Sequence, residues 1–153
     1  MADSMDRRPA VIDTHLHHYE RGFMSRKWHD YVAYRWARRN PPYRNPADIR
    51  DKIEAGMEDP GGDRMVEHMD ATGIDIGVLL AMDWEIGMKD PAPLTIEQMH
   101  VSIAEVVRRH PGRFVAFAGI DPQRPNAMEL FNWAIDELGM VGLKIYPNTG
   151  FYP

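Results

Sequence analysis

Ile74-Asp75-Ile76-Gly77-Val78-Leu79-Leu80-Ala81-Met82 is an almost unbroken apolar run, bounded by Gly73 on one side and Asp83 on the other. A short run without alternation is the pattern of a strand covered on both faces, as in parallel α/β sheets. Upstream, Met65, Val66 and Met69 recur at helical spacing from about Asp63 to Thr72, and Gly73 supplies a stop. Downstream, Thr95 opens a helix with Met99, Ile103, Val106 and Val107 as its apolar stripe, Arg108 and Arg109 in its last turn, and Pro111-Gly112 beyond. Phe114 to Ile120 then reads as a strand, Asn126 to Leu138 as a helix ended by Gly139, and Val141 to Tyr146 as a further strand. Before all of these, the β-branched segment from Pro9 to His17 reads as the first strand. The order strand, helix, strand, helix, strand, helix, strand predicts parallel strands joined by right-handed crossovers.

The chain has 153 residues, 44% hydrophobic and 27% charged, which suits a packed core and excludes global disorder. We expect one unit over 1–153, with an insertion at 20–63 after the first strand. That insertion is rich in aromatics, arginine and proline (Trp28, Tyr31, Tyr34, Trp36, Pro41, Pro42), and its length predicts one or two irregular helices. A net charge of −5 without long runs of one sign speaks against a nucleic-acid partner. With no cysteine, thiolate metal sites and cysteine nucleophiles are excluded, so any metal is held by nitrogen or oxygen. No stretch approaches the ~18–20 apolar residues that span a bilayer, so no membrane partner is expected and the default location is the cytoplasm.

Strand parity sorts the polar residues. Val141, Leu143 and Ile145 form one face, expected to lie under helices, while Gly142, Lys144 and Tyr146 form the other. Asp13, His15 and His17 share a face of the first strand, Gly77, Ala81 and Asp83 of the second, and Gly119 and Asp121 of the third. We expect the polar members to gather on one face at the carboxyl ends, where parallel α/β folds bind ligands. His15 and His17, two apart on a strand, project together with backbones about 6–7 Å apart and are candidate ligands for one ion. The alternative is that they only hydrogen-bond to loops. Asp13 is expected to orient a histidine from behind. Lys144 on an inward face needs a partner or a modification, a salt bridge to Asp121 or Asp83 being the plain alternative. His18, Trp84 and Tyr146 are candidate substrate-lining residues. Arg35, Arg38 and Arg39 either attract a carboxylate substrate or form a solvated helix face.

The segments Val11-Ile12-Asp13-Thr14-His15-Leu16-His17, Gly73 to Val78, Phe114 to Pro122 and Gly139 to Pro147 together resemble the amidohydrolase superfamily. The resemblance is to its amidohydrolase-related branch, which includes aminocarboxymuconate-semialdehyde decarboxylase. It implies a (β/α)8 TIM-type barrel with a metal centre in which His15 and His17 are ligands. Lys144 stands where many members carry a carboxylated, metal-bridging lysine and where the decarboxylase-like branch commonly lacks it. A whole barrel needs about 250 residues and eight strands, and the later histidine ligands and the final aspartate base of the family have no counterpart here. The resemblance therefore covers the amino-terminal half, four strands with outer helices. A complementary carboxyl-terminal half or another copy is expected to close it.

The leading expectation is a metal-dependent hydrolase acting on a small carboxylated or cyclic substrate through metal-activated water. The alternatives are a non-oxidative decarboxylase of an aromatic or muconate-type acid, and an inert half-barrel that binds a partner. Zinc is the default ion for such a site, with manganese or iron as alternatives. Asp83 and Asp121 are expected to support the ligands, and no catalytic residue is assigned.

Overall fold

The structure, a computed structural model, describes residues 10–39 and 41–147. The elements run in the order β1 (Ile12–Leu16), α1 (Arg26–Arg39), α2 (Pro46–Met57), α3 (Asp63–Thr72), β2 (Ile76–Leu80), α4 (Glu85–Met88), α5 (Ile96–Arg109), β3 (Phe114–Gly119), α6 (Ala127–Asp136) and β4 (Gly142–Lys144). All pairings are parallel and the sheet order is β1-β2-β3-β4, so each strand joins its neighbour in sequence. This is the expected α/β architecture of four parallel strands with helices. Pro9, the expected start of the first strand, lies outside the described residues.

Local chemistry explains most boundaries. Thr95 and Gln98 form a capping box, each side chain bonded to the other's backbone N–H, and this starts α5. Gly73 ends α3 in the left-handed region at φ 74°, where a side chain is strained. The insertion forms two regular helices rather than irregular ones. Asn45 caps α2 with Pro46 in its first turn, and α1 and α2 share a small core of Ala33, Ala37, Ile49 and Ile53. The short helix α4 carries no apolar periodicity long enough to be foreseen.

The main core lies between the sheet and the helices, joining Leu79, Ala81, Phe114, Ala116 and Ala118 to Met69, Met99, Ile103, Val106, Leu130 and Ala134. Two expectations about strand faces are corrected. First, β1 carries a bulge: Asp13 pairs with Gly77 but Leu16 with Leu79, so β1 spends three residues where β2 spends two. Asp13 and Leu16 thus pair with two residues of one β2 face, so the parity that grouped Asp13 with His15 and His17 fails across the bulge. Leu16, opposite the histidines as parity expects, packs against the main core. Second, the outer face of β4 is uncovered among the described residues, with Val141 62% and Leu143 41% exposed, because α6 packs on β3 and no described helix follows β4. On the inner face, a Cβ on Gly142 would stand 2.7 Å from the Phe117 ring, so glycine there makes room for the aromatic.

Candidate metal centre

The bulge in β1 is pinned by Asp13, whose Oδ1 accepts the backbone N–H of His15 at 2.9 Å. Asp13 thus acts on the backbone of the histidine and not, as expected, on its ring. Beyond the bulge the two imidazoles meet: their Nε2 atoms stand 3.1 Å apart and their ring centroids 5.0 Å, edge to face. His17 Nδ1–H donates to the carbonyl oxygen of Leu80 at 2.8 Å, which fixes its tautomer and leaves its Nε2 as a lone-pair donor. Burial holds His17 below the ordinary imidazole range, opposed by the Leu80 hydrogen bond and aided by His15 and Lys144, so its charged form is disfavoured.

These residues fit a metal ion. Two nitrogens each roughly 2.0–2.1 Å from a shared ion lie less than about 4.2 Å apart, and the observed separation satisfies this. Among the described residues no group of three or more His, Asp or Glu forms a complete ligand set. The pair alone therefore offers two donors and not a complete ligand set.

At β4, the ammonium of Lys144 lies 4.8 Å from the centroid of the Tyr146 ring, a cation–π contact, and makes no ion pair with Asp83 or Asp121. The Trp84 ring packs edge-on against Tyr146 at 5.2 Å. Lys144, Tyr146 and Trp84 therefore form a continuous wall, and the field of Lys144 reaches His17.

The other expected site residues are engaged elsewhere. Asp83 is buried and held by Arg124 Nε at 2.6 Å and Nη2 at 2.8 Å, and it accepts the backbone N–H of Asp121 at 2.8 Å. It serves the junction of two loops rather than the histidines, because its strand parity is that of Gly77 and Ala81 on the helix side. Asp121 Oδ1 accepts the N–H of Gln123 at 2.9 Å, and its buried Oδ2 has no partner among the described residues. His18 is buried with Nε2 3.0 Å from Glu20 Oε1, the same oxygen that accepts Ser102 Oγ–H at 2.6 Å, so it faces α5 instead of lining an open pocket. Arg35 and Arg38 stack on Tyr31 and Tyr34 of their own helix.

Two polar residues near the carboxyl ends were not anticipated. His100, fully buried on α5, accepts the N–H of Gly119 through Nε2 at 3.1 Å, which makes it a neutral ring; burial pushes it down to about 4. Its signal was a histidine between Met99 and Ile103 on the apolar side of α5. Arg124 had no local signal, since its partners are distant in sequence.

No family model matches the sequence, and no curated protein sequence matches it. Solved structures do. 5-Carboxyvanillate decarboxylase from Novosphingobium aromaticivorans, a mutant with bound manganese and 3-methoxy-4-hydroxy-5-nitrobenzoic acid, matches with TM-score 0.50 and 25% identity over 89% of this chain and 41% of its own. 2,6-Dihydroxybenzoate decarboxylase from Rhizobium matches with TM-score 0.53 and 20% identity over 89% of this chain and 38% of its own. 4-Oxalomesaconate hydratase from Rhodopseudomonas palustris matches with TM-score 0.51 and 15% identity over 94% of this chain and 45% of its own. The chain thus spans less than half the length of each of these proteins. Its fold is that of the amidohydrolase superfamily, and it corresponds to the amino-terminal half of that barrel.

Proposed function

We propose that this chain supplies the metal-binding half of a non-oxidative decarboxylase of amidohydrolase type, acting on a small, planar carboxylic acid. The observation that carries the reading is the 3.1 Å approach of the His15 and His17 Nε2 atoms, with His17 oriented by Leu80. The likeness to the manganese-containing 5-carboxyvanillate decarboxylase supports decarboxylation over hydrolysis. His15 and His17 hold a divalent cation, manganese or zinc. When bound, such an ion polarises a coordinated oxygen and lowers the pKa of bound water. Lys144 attracts the substrate carboxylate, and Trp84 and Tyr146 bracket its plane. The remaining ligands and the general base come from a complementary carboxyl-terminal half, which also covers the inner face and the exposed side of β4.

Metal analysis after dialysis against manganese or zinc tests the centre, and carbon dioxide release from hydroxybenzoates by the complete enzyme tests the reaction. The expected result is metal retention lost in His15→Ala/His17→Ala, and carbon dioxide release lost with it. Unchanged metal content in that variant sinks the centre. Retained metal with turnover of an ester or lactone but no carbon dioxide returns the hydrolase reading.

A further inference from the structure

α1 presents one outward stripe, Tyr31, Tyr34, Arg35 and Arg38, at the i, i+3, i+4, i+7 spacing of a single helix face. All four are exposed. Arg35 lies over the Tyr31 ring at 5.8 Å and Arg38 over Tyr34 at 5.2 Å, each also donating to that tyrosine's hydroxyl. The guanidiniums are thus held in place, and ordering them on a partner costs little further entropy. The local charge is out of proportion to the chain: between Gly22 and Arg44 there are six Arg or Lys against the single Asp30, although the whole chain carries −5.

The compensating charge has a matching stripe. α6 contains no Arg or Lys, and its exposed side carries Glu129, Asn132 and Asp136, again at i, i+3 and i+7, with Glu137 just beyond and Met128 67% exposed beside them. Among the described residues, Arg35, Arg38, Glu129, Asp136 and Glu137 make no ion pair. Both stripes span eight residues, seven helical steps or about 10 Å of helix. Isolated charge pairs contribute little. Here they are joined by tyrosine, arginine and methionine side chains of the kind that supply binding energy at interfaces.

We infer that α1 of one chain docks on α6 of a second copy, its tyrosine–arginine stripe against the acidic stripe. This does not depend on the metal centre or on the proposed reaction.

Sedimentation velocity on the chain at low and high salt tests it, alongside Arg35→Glu/Arg38→Glu and Glu129→Lys/Asp136→Lys. All four positions are exposed, and circular dichroism melts confirm that each variant folds. The wild type is expected to self-associate at low salt and to dissociate as salt rises. Each variant alone should weaken association by about tenfold or more, through like-charge contact. An equimolar mixture of the two variants should associate again, because the reversed stripes complement each other. A wild-type chain that stays monomeric overturns the proposal and leaves the stripe to a different acidic partner. Association that ignores both salt and the reversals overturns it in favour of pairing through the open sheet edges, and a mixture that fails to reassociate also overturns it.

Discussion

Asp83 grips Arg124 across 41 residues of sequence with both carboxylate oxygens, and the same guanidinium holds Glu85 at 2.7 Å. The loop after β2 is thereby fastened to the loop after β3, with Trp84 fixed between the two carboxylates. The Asp83 hydrogen bonds raise the Arg124 pKa further above its already high ordinary value. Removing one partner of a buried pair leaves the other charge unpaired, which costs about 3–5 kcal/mol. Arg124 keeps 15% side-chain exposure against 2% for Asp83. We therefore expect Arg124→Met to lose about 3 kcal/mol by urea denaturation, and Asp83→Asn/Arg124→Met to lose less than Arg124→Met alone. A loss in Arg124→Met below about 1 kcal/mol contradicts a buried, unscreened pair.

His100 makes stability depend on pH. Its ring titrates near 6.5 in an unfolded chain and about 4 when folded, so between those values the unfolded state binds more protons. Its contribution is complete above about pH 6.5 and is lost as pH falls toward 4, to a limit of about 3 kcal/mol. Burial shifts His17 and His29 the same way. Denaturation midpoints between pH 4 and 7 should show a shallower slope for His100→Gln than for the wild type, and an unchanged slope rejects the assignment.

Two glycines should respond oppositely to alanine. A Cβ on Gly119 would lie 2.0 Å from the backbone oxygen of Ala81, a clash no side-chain movement relieves, so Gly119→Ala should fail to fold or lose more than about 3 kcal/mol. Gly56 sits within α2 with nothing within 4 Å of a built Cβ, so Gly56→Ala should gain about 0.5 kcal/mol in thermal melts.

Metal removal should separate function from fold. His15 is exposed, so His15→Ala should change stability by less than about 0.5 kcal/mol while abolishing manganese or zinc retention. Isothermal titration with each metal, paired with a melt, checks this. Stability falling in step with metal loss would mean that the ring is structural.

Much of the molecule was written in local pattern. Helix periodicity, the Thr95 cap, the Gly73 stop and the apolar run through Ile74–Met82 depend on near neighbours alone, and they gave the four parallel strands and their order. The His-x-His pair was legible for the same reason, since two residues apart on a strand are close whatever the fold. Other features depended on residues distant in the chain. The bulge that separates Asp13 from the face of His15 and His17 comes from the register of β1 on β2. The capture of Asp83 by Arg124 and of His18 by Glu20 and Ser102 follows from loops and helices brought together by the sheet, and so does the ring contact between Trp84 and Tyr146. A titratable side chain in such a fold takes whichever partner the packed backbone sets within hydrogen-bonding reach. Composition and parity name the candidates, and only the tertiary arrangement decides which oxygen meets which nitrogen.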